Sequence, residues 1–160
     1  MMDEVTISLD AGRARLAPRG VIVHAMGEFL ELGQEDASAW QFLGKLGLSA
    51  HAFVTPSGVV VRGRRDDQGA YHAKGANDCL GVEFLVPGVH TYSTFLEAIK
   101  TEYLTAPQYA AGVELVRGWV IAHALEPGQV RRHSDQAPGR KHDPGPGFPW
   151  PRFIEDVFRC

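Results

Sequence analysis

The apolar and polar positions of the chain change period several times, and each change marks an element. Val5 to Leu9 alternates apolar and polar residues, the period of a half-buried strand. Asp10-Ala11-Gly12 is turn chemistry, and Arg13 to Leu16 reads as a short returning strand. Gly20-Val21-Ile22-Val23-His24 is a continuous β-branched run, the pattern of a strand covered on both faces, with His24 at its end. Asp36 or Ser38 caps a predicted helix to about Leu46, with Trp40, Phe42, Leu43 and Leu46 as its buried stripe and Gly47 as its stop. Ala50–Thr55 and Val59–Arg62 flank Pro56-Ser57-Gly58 as a hairpin. Leu80 to Val86 is a second buried strand, ended by Pro87-Gly88 and interrupted by a single carboxylate, Glu83. Thr94–Tyr103 is read as a short helix. Thr105 and Pro107 open a longer one that runs to Leu125, its inner face carrying Tyr109, Val113, Val116, Val120 and Ile121. After Pro127-Gly128 come a short strand, Val130 to His133, a Pro/Gly-rich loop, Ser134 to Pro149, and a closing helix, Phe153 to Phe158. Alternating strands and helices predict an α/β class: a central mixed β-sheet flanked by helices.

Composition narrows the function classes. At 160 residues the chain is expected to form a single domain with its own core, by the usual span of about 100–200 residues. It is 44% hydrophobic, and no apolar run is long enough for a transmembrane helix. Sixteen Lys and Arg against nineteen Asp and Glu leave a net charge of −3, which provides no basic field for nucleic acid or an anionic membrane. Cys79 and Cys160 make neither a disulfide framework nor a metal clip, and the acidic start Met-Met-Asp-Glu-Val is no signal peptide. A cytoplasmic protein is expected.

Three residues stand out for chemistry. His24 and His133 each end a predicted strand, and Asp143 follows ten residues after His133 on a Pro-stiffened loop. Two imidazoles and a carboxylate suit zinc, with a fourth position left for water. From the residues alone, His142 is an alternative to Asp143. Glu83 is equally readable as a buried acid paired with a base, and Lys141 as an ordinary loop lysine beside Arg140. His51 reads as a core or supporting histidine. Trp119 and Trp150 read as core residues. Arg62, Arg64 and Arg65 form a solvated cluster that could also meet carboxylates.

The segment His133-Ser134-Asp135-Gln136-Ala137-Pro138-Gly139-Arg140-Lys141-His142-Asp143-Pro144-Gly145-Pro146-Gly147-Phe148-Pro149-Trp150 resembles the metal-binding and catalytic loop of the type 2, zinc-dependent N-acetylmuramoyl-L-alanine amidases, which share a fold with peptidoglycan-recognition proteins. Val21 to His24, Ser49 to Val54, His72 to Gly75, Asn77 to Glu83 and Leu104 to Ala110 extend the resemblance over roughly residues 18–157. Met1 to Ala17 and His90 to Tyr103 have no clear counterpart.

The resemblance implies Zn2+ held by His24, His133 and Asp143, with Glu83 and Lys141 catalytic. It also implies substrate contacts at His72, Asn77 and Arg140. Ala50 stands where other members carry a catalytic tyrosine, which leaves the acid–base work to Glu83. The implied reaction is hydrolysis of the lactyl–L-alanine amide bond of peptidoglycan or a muropeptide. The expected setting is a phage or prophage endolysin, monomeric and without a separate cell-wall-binding domain. The alternatives are a cytosolic amidase recycling anhydro-muropeptides and a non-catalytic peptidoglycan-binding module, whose mark would be a lost ligand.

Overall fold

A computed structural model describes residues 2–30, 32–33 and 38–159. Its six strands are β1 (Glu4–Thr6), β2 (Gly20–Phe29), β3 (Ala52–Val54), β4 (Val60–Arg62), β5 (Cys79–Val89) and β6 (Val130–Arg132). Five helices join them: α1 (Ala39–Lys45), α2 (Tyr92–Ala98), α3 (Ala106–His123), α4 (His133–Gln136) and α5 (Trp150–Phe158). The strands form one sheet in the order β1-β4-β3-β5-β2-β6. Only the β3–β4 hairpin is antiparallel; the other neighbours run parallel, so the sheet is mixed as expected.

The two long central strands carry opposite chemistry on their two faces. Side chains alternate along a strand, so Val21 and Val23 of β2 and Leu80, Val82 and Phe84 of β5 share one face. They pack there against α3 and α5, together with Val116, Trp119, Phe153 and Val157. Ile22 and His24 of β2, and Gly81 and Glu83 of β5, point to the other face. The parallel register sets His24 directly beside Glu83.

The long helix α3 starts where its sequence predicts. The Thr105 hydroxyl accepts from the Gln108 amide at 3.1 Å, and Pro107 lies in the first turn. Gly112 sits mid-helix, at a cost of about 1 kcal/mol relative to alanine. A Cβ there would stand 2.4 Å from the Phe84 ring, so glycine is what lets helix and sheet approach this closely.

Several expectations change at the edges of elements. Arg13 to Leu16 forms no strand; its backbone instead bonds to the loop at Asp67 and Gly69. Ile121 is 73% exposed and Leu46 57%, because each stands off the stripe its helix turns inward. The strand at Pro87-Gly88 does not stop there but continues to Val89. The α2 helix begins at Tyr92, where Thr91 and Thr94 form a reciprocal capping box. The closing helix begins at Trp150. Asp36 lies outside the described residues, and Ser38 takes the N-cap position of α1 without a side-chain hydrogen bond. Among the described residues no helix is long and apolar enough to cross a membrane.

Candidate metal centre

The face of the sheet away from α3 opens, beside His24 and Glu83, into a cleft of about 470 Å³. His24, His72, Glu83, His133, Lys141, His142 and Asp143 line its polar part. Its apolar walls come from α1 and the following turn, with Phe42, Leu43, Leu46 and Leu48, and from α2, with Tyr92, Phe95 and Leu96. The segment from His90 to Tyr103, for which the sequence offers no counterpart, therefore supplies one side of the cleft.

Each polar group reaches the floor by a local device. β6 pairs with β2 only as far as Val23. Beyond that point the β2 edge is open, and Asp143 Oδ2 accepts from the Ala25 amide at 3.3 Å. His133 does not end β6 but begins α4, where the Arg132 guanidinium grips the Asp135 carboxylate at 2.8 and 2.9 Å. The Ser134 amide donates to the Asp143 carbonyl at 2.9 Å, which folds the loop back on itself. Tyr103 donates to the Pro144 carbonyl at 2.8 Å and braces that loop from the other side. The role of Tyr103 is invisible in the sequence, because its partner is a backbone atom 41 residues away.

The result is a three-donor cluster, His24, His133 and Asp143, all buried. His24 Nδ1 lies 3.0 Å from His133 Nδ1 and 3.5 Å from Asp143 Oδ2, and His133 Nδ1 lies 3.0 Å from Asp143 Oδ2. Two ligands about 2.0 Å from a tetrahedral ion stand about 3.3 Å apart. The three spacings therefore match one face of such a site, and the residues fit a metal ion. His142 is exposed and lies outside the cluster, which favours Asp143 as the third donor.

The electrostatics agree. Burial works to raise the Asp143 pKa, but the His133 hydrogen bond and the two imidazoles beside the carboxyl outweigh it and hold it below its usual range. Burial lowers the His24 pKa against the pull of Asp143 and keeps the ring neutral, as a ligand must be. Glu83 lies 3.8 Å from His24 Nδ1. Burial and then the Asp143 charge push it well above the ordinary glutamate value, while Lys141 opposes them.

The remaining expected site residues are placed differently. His72 reaches the cleft wall, but both its ring nitrogens are already bonded, to His24 at 2.9 Å and to the Cys79 carbonyl at 3.0 Å. Asn77 lines a separate depression with Arg13 and Arg15. Arg140 is exposed and does not line the cleft. Of the arginine cluster, Arg62 and Arg64 are tied into the fold, while Arg65 is exposed. Arg62 pairs with Asp66, Arg65 with Asp67, and Arg64 donates to the carbonyls of Leu9, Gly69 and Arg13. Trp119 is core, its indole donating to Asp66 at 2.9 Å.

His51 is a supporting histidine. Its Nδ1 accepts from the Gly81 amide at 2.9 Å and its Nε2 donates to the Gln68 carbonyl at 2.7 Å. Burial lowers its pKa from 6.5 to about 4. Between those values the unfolded chain takes a proton that the folded chain refuses. The contribution of His51 is thus complete above pH 6.5 and is lost as the pH falls toward 4. Urea denaturation of metal-stripped protein at pH 7.5 and 4.5 will show the wild type losing more stability on acidification than His51→Gln, by about 3 kcal/mol. Parallel losses in the two proteins would remove His51 from this account.

Comparison with known proteins decides the family. The family profile described as N-acetylmuramoyl-L-alanine amidase matches residues 14–146, most of the chain and all three donors. The chain belongs to the N-acetylmuramoyl-L-alanine amidase family. It is an amide hydrolase acting on peptidoglycan-type substrates. It is 30% identical over 152 residues to the 1,6-anhydro-N-acetylmuramyl-L-alanine amidase AmpD of Salmonella typhimurium (strain SL1344), covering 85% of this chain and 79% of the relative. The Escherichia coli (strain K12) AmpD is also 30% identical over 152 residues, covering 85% and 80%. Among solved structures, an AmpD derivative superposes with a TM-score of 0.73 at 23% identity, over 98% of this amidase and 96% of that chain. The N-acetylmuramoyl-L-alanine amidase LysC from Clostridium intestinale URNW superposes with a TM-score of 0.71 at 19% identity, over 97% and 96%. These two structures share the fold.

Proposed function

We propose that this amidase is zinc-dependent and hydrolyses the amide bond between the lactyl group of N-acetylmuramic acid and L-alanine. The observation that carries the reading is the convergence of His24, His133 and Asp143 at tetrahedral spacing beside a buried glutamate. His24 Nδ1, His133 Nδ1 and an Asp143 oxygen would hold the ion, two nitrogens and an oxygen being a normal zinc donor set. Zinc, when bound, supplies Lewis acidity that polarises an amide carbonyl and acidifies water.

The chain's own residues do the rest. Glu83 takes the proton of the attacking water at its carboxylate and returns it to the departing nitrogen of L-alanine. A pKa raised by burial suits a base that must both accept and release a proton near neutrality. The Lys141 ammonium, on the same cleft, sets positive charge against the oxyanion that develops on the carbonyl oxygen. The apolar walls exclude bulk water and strengthen both effects.

Two settings have support. The relatives at 30% identity are 1,6-anhydro-N-acetylmuramyl-L-alanine amidases, which favours soluble anhydro-muropeptides as substrate. The fold is equally that of the endolysin LysCS from Clostridium intestinale URNW, which keeps wall lysis as the second reading. Product analysis by mass spectrometry tests both. The protein is incubated separately with soluble anhydro-muropeptide and with intact sacculi, with and without chelator. Peptide with a free L-alanine amine, formed from at least one substrate and suppressed by chelator, is the expected result. Release from sacculi would assign the lytic setting, and release from the soluble substrate alone the recycling one. No release from either after zinc loading would overturn the proposal and leave a binding module.

A further inference from the structure

His72 stands directly behind His24. Its ring lies flat over β5 at Gly81, where a Cβ would come within 2.5 to 2.7 Å of three ring atoms. On its far side the His51 ring meets it edge-on, with centroids 6.0 Å apart. The ring is therefore seated on a backbone position without a side chain and walled by a second, hydrogen-bonded imidazole.

The bonding of that ring settles where protons lie. A carbonyl oxygen only accepts, so the nitrogen facing the Cys79 carbonyl at 3.0 Å, Nε2 of His72, carries hydrogen. In a neutral ring the other nitrogen, Nδ1, then has only a lone pair. His24 Nε2, 2.9 Å away, must be the donor to it. His24 in turn keeps no hydrogen on Nδ1, the nitrogen that faces His133 and Asp143. Orders reach the metal centre from the backbone at Cys79 through two rings: carbonyl, His72, His24, open lone pair.

We propose that His72 is a positioning residue that locks His24 in the tautomer able to bind metal, and that Gly81 is glycine because His72 must sit on it. This rests on the metal-dependent reading above. It also explains why His72 has no free nitrogen for substrate. Partners that hold a ligating imidazole in one tautomer typically account for about 10- to 100-fold in metal affinity.

The test uses the full chain, stripped of metal, with two readouts. Long-range proton–nitrogen correlation spectra report the His24 tautomer, and competition with a chromophoric chelator reports zinc affinity. The wild type is expected to show His24 protonated on Nε2. His72→Ala is expected to mix the two tautomers and weaken zinc binding by about 10- to 100-fold. His72→Gln keeps one acceptor and one donor, and is expected to recover most of that loss. Gly81→Ala displaces the ring without removing it, and is expected to behave like His72→Ala. A wild-type His24 protonated on Nδ1 would overturn the proposal, and so would folded His72→Ala with unchanged tautomer and affinity. A wild type that binds no zinc would instead sink the metal reading, and the tautomer spectrum would still judge the His72–His24 arrangement.

Discussion

Glu83→Ala will yield a folded protein that binds zinc and hydrolyses its substrate at least about a hundredfold more slowly, the usual contribution of a general base. The fold tolerates the change because, among the described residues, Glu83 forms no salt bridge to a lysine or arginine; its ion-pair contact is with His24 Nδ1 at 3.8 Å. A buried carboxylate without a cation partner is a burden on stability, so its loss offsets part of the cavity that alanine leaves. The metal stays because the three donors do not include Glu83. What is lost is the group proposed to take and return the proton. Zinc content by elemental analysis, measured beside kcat, checks both halves of the expectation. A rate close to wild type would remove Glu83 from the mechanism.

The pH profile supplies a second readout for the same residue. Only the ionised Glu83 can accept a proton. Burial and Asp143 raise its pKa, so the wild-type rate will fall on acidification at a pH above the ordinary glutamate value of 4.5. In Glu83→Gln that acidic limb will be absent from whatever activity remains.

Asp143→Ala will lose metal and activity together. Asp143 is the only anionic donor of the cluster, and the hydrogen bond from His133, with His24 beside it, keeps it ionised despite its burial. Without it two imidazoles face each other 3.0 Å apart, with no carboxylate charge to balance a dication. The loss of zinc affinity will exceed the about 10- to 100-fold that removal of a supporting partner costs, because a donor atom itself is gone. Asp143→Asn keeps the shape and the possibility of accepting from the Ala25 amide, so it separates loss of charge from collapse of the loop. Zinc retained at wild-type affinity in Asp143→Ala would transfer the third donor to His142.

Much of the site was legible in the chain because it is carried by short, contiguous patterns. His24 closes a β-branched run, Glu83 interrupts another, and the loop from His133 to Asp143 is a single segment. Parallel pairing of the two runs needed only that both be central strands, and the register then placed His24 beside Glu83. Where His72, Asn77 and Arg140 lie was not legible, because proximity to a motif says nothing about direction. Asn77 is only six residues from Glu83 in sequence, yet it belongs to another depression. His72 faces the metal centre, but from behind it. Of the arginine cluster, Arg65 is exposed as expected, whereas Arg64 is held by the carbonyls of Leu9, Arg13 and Gly69, which have no side-chain signature.

By itself, then, the sequence determined the class of fold, the donor types and the reaction they suit, since these follow from local period and residue chemistry. Tertiary structure alone decided which donors meet and which nitrogen each presents. It also decided that the segment from His90 to Tyr103 walls the cleft and that Tyr103 braces the Asp143 loop. Those outcomes depend on contacts between residues tens of positions apart, many of them to backbone atoms that every residue possesses, so no one-dimensional pattern encodes them.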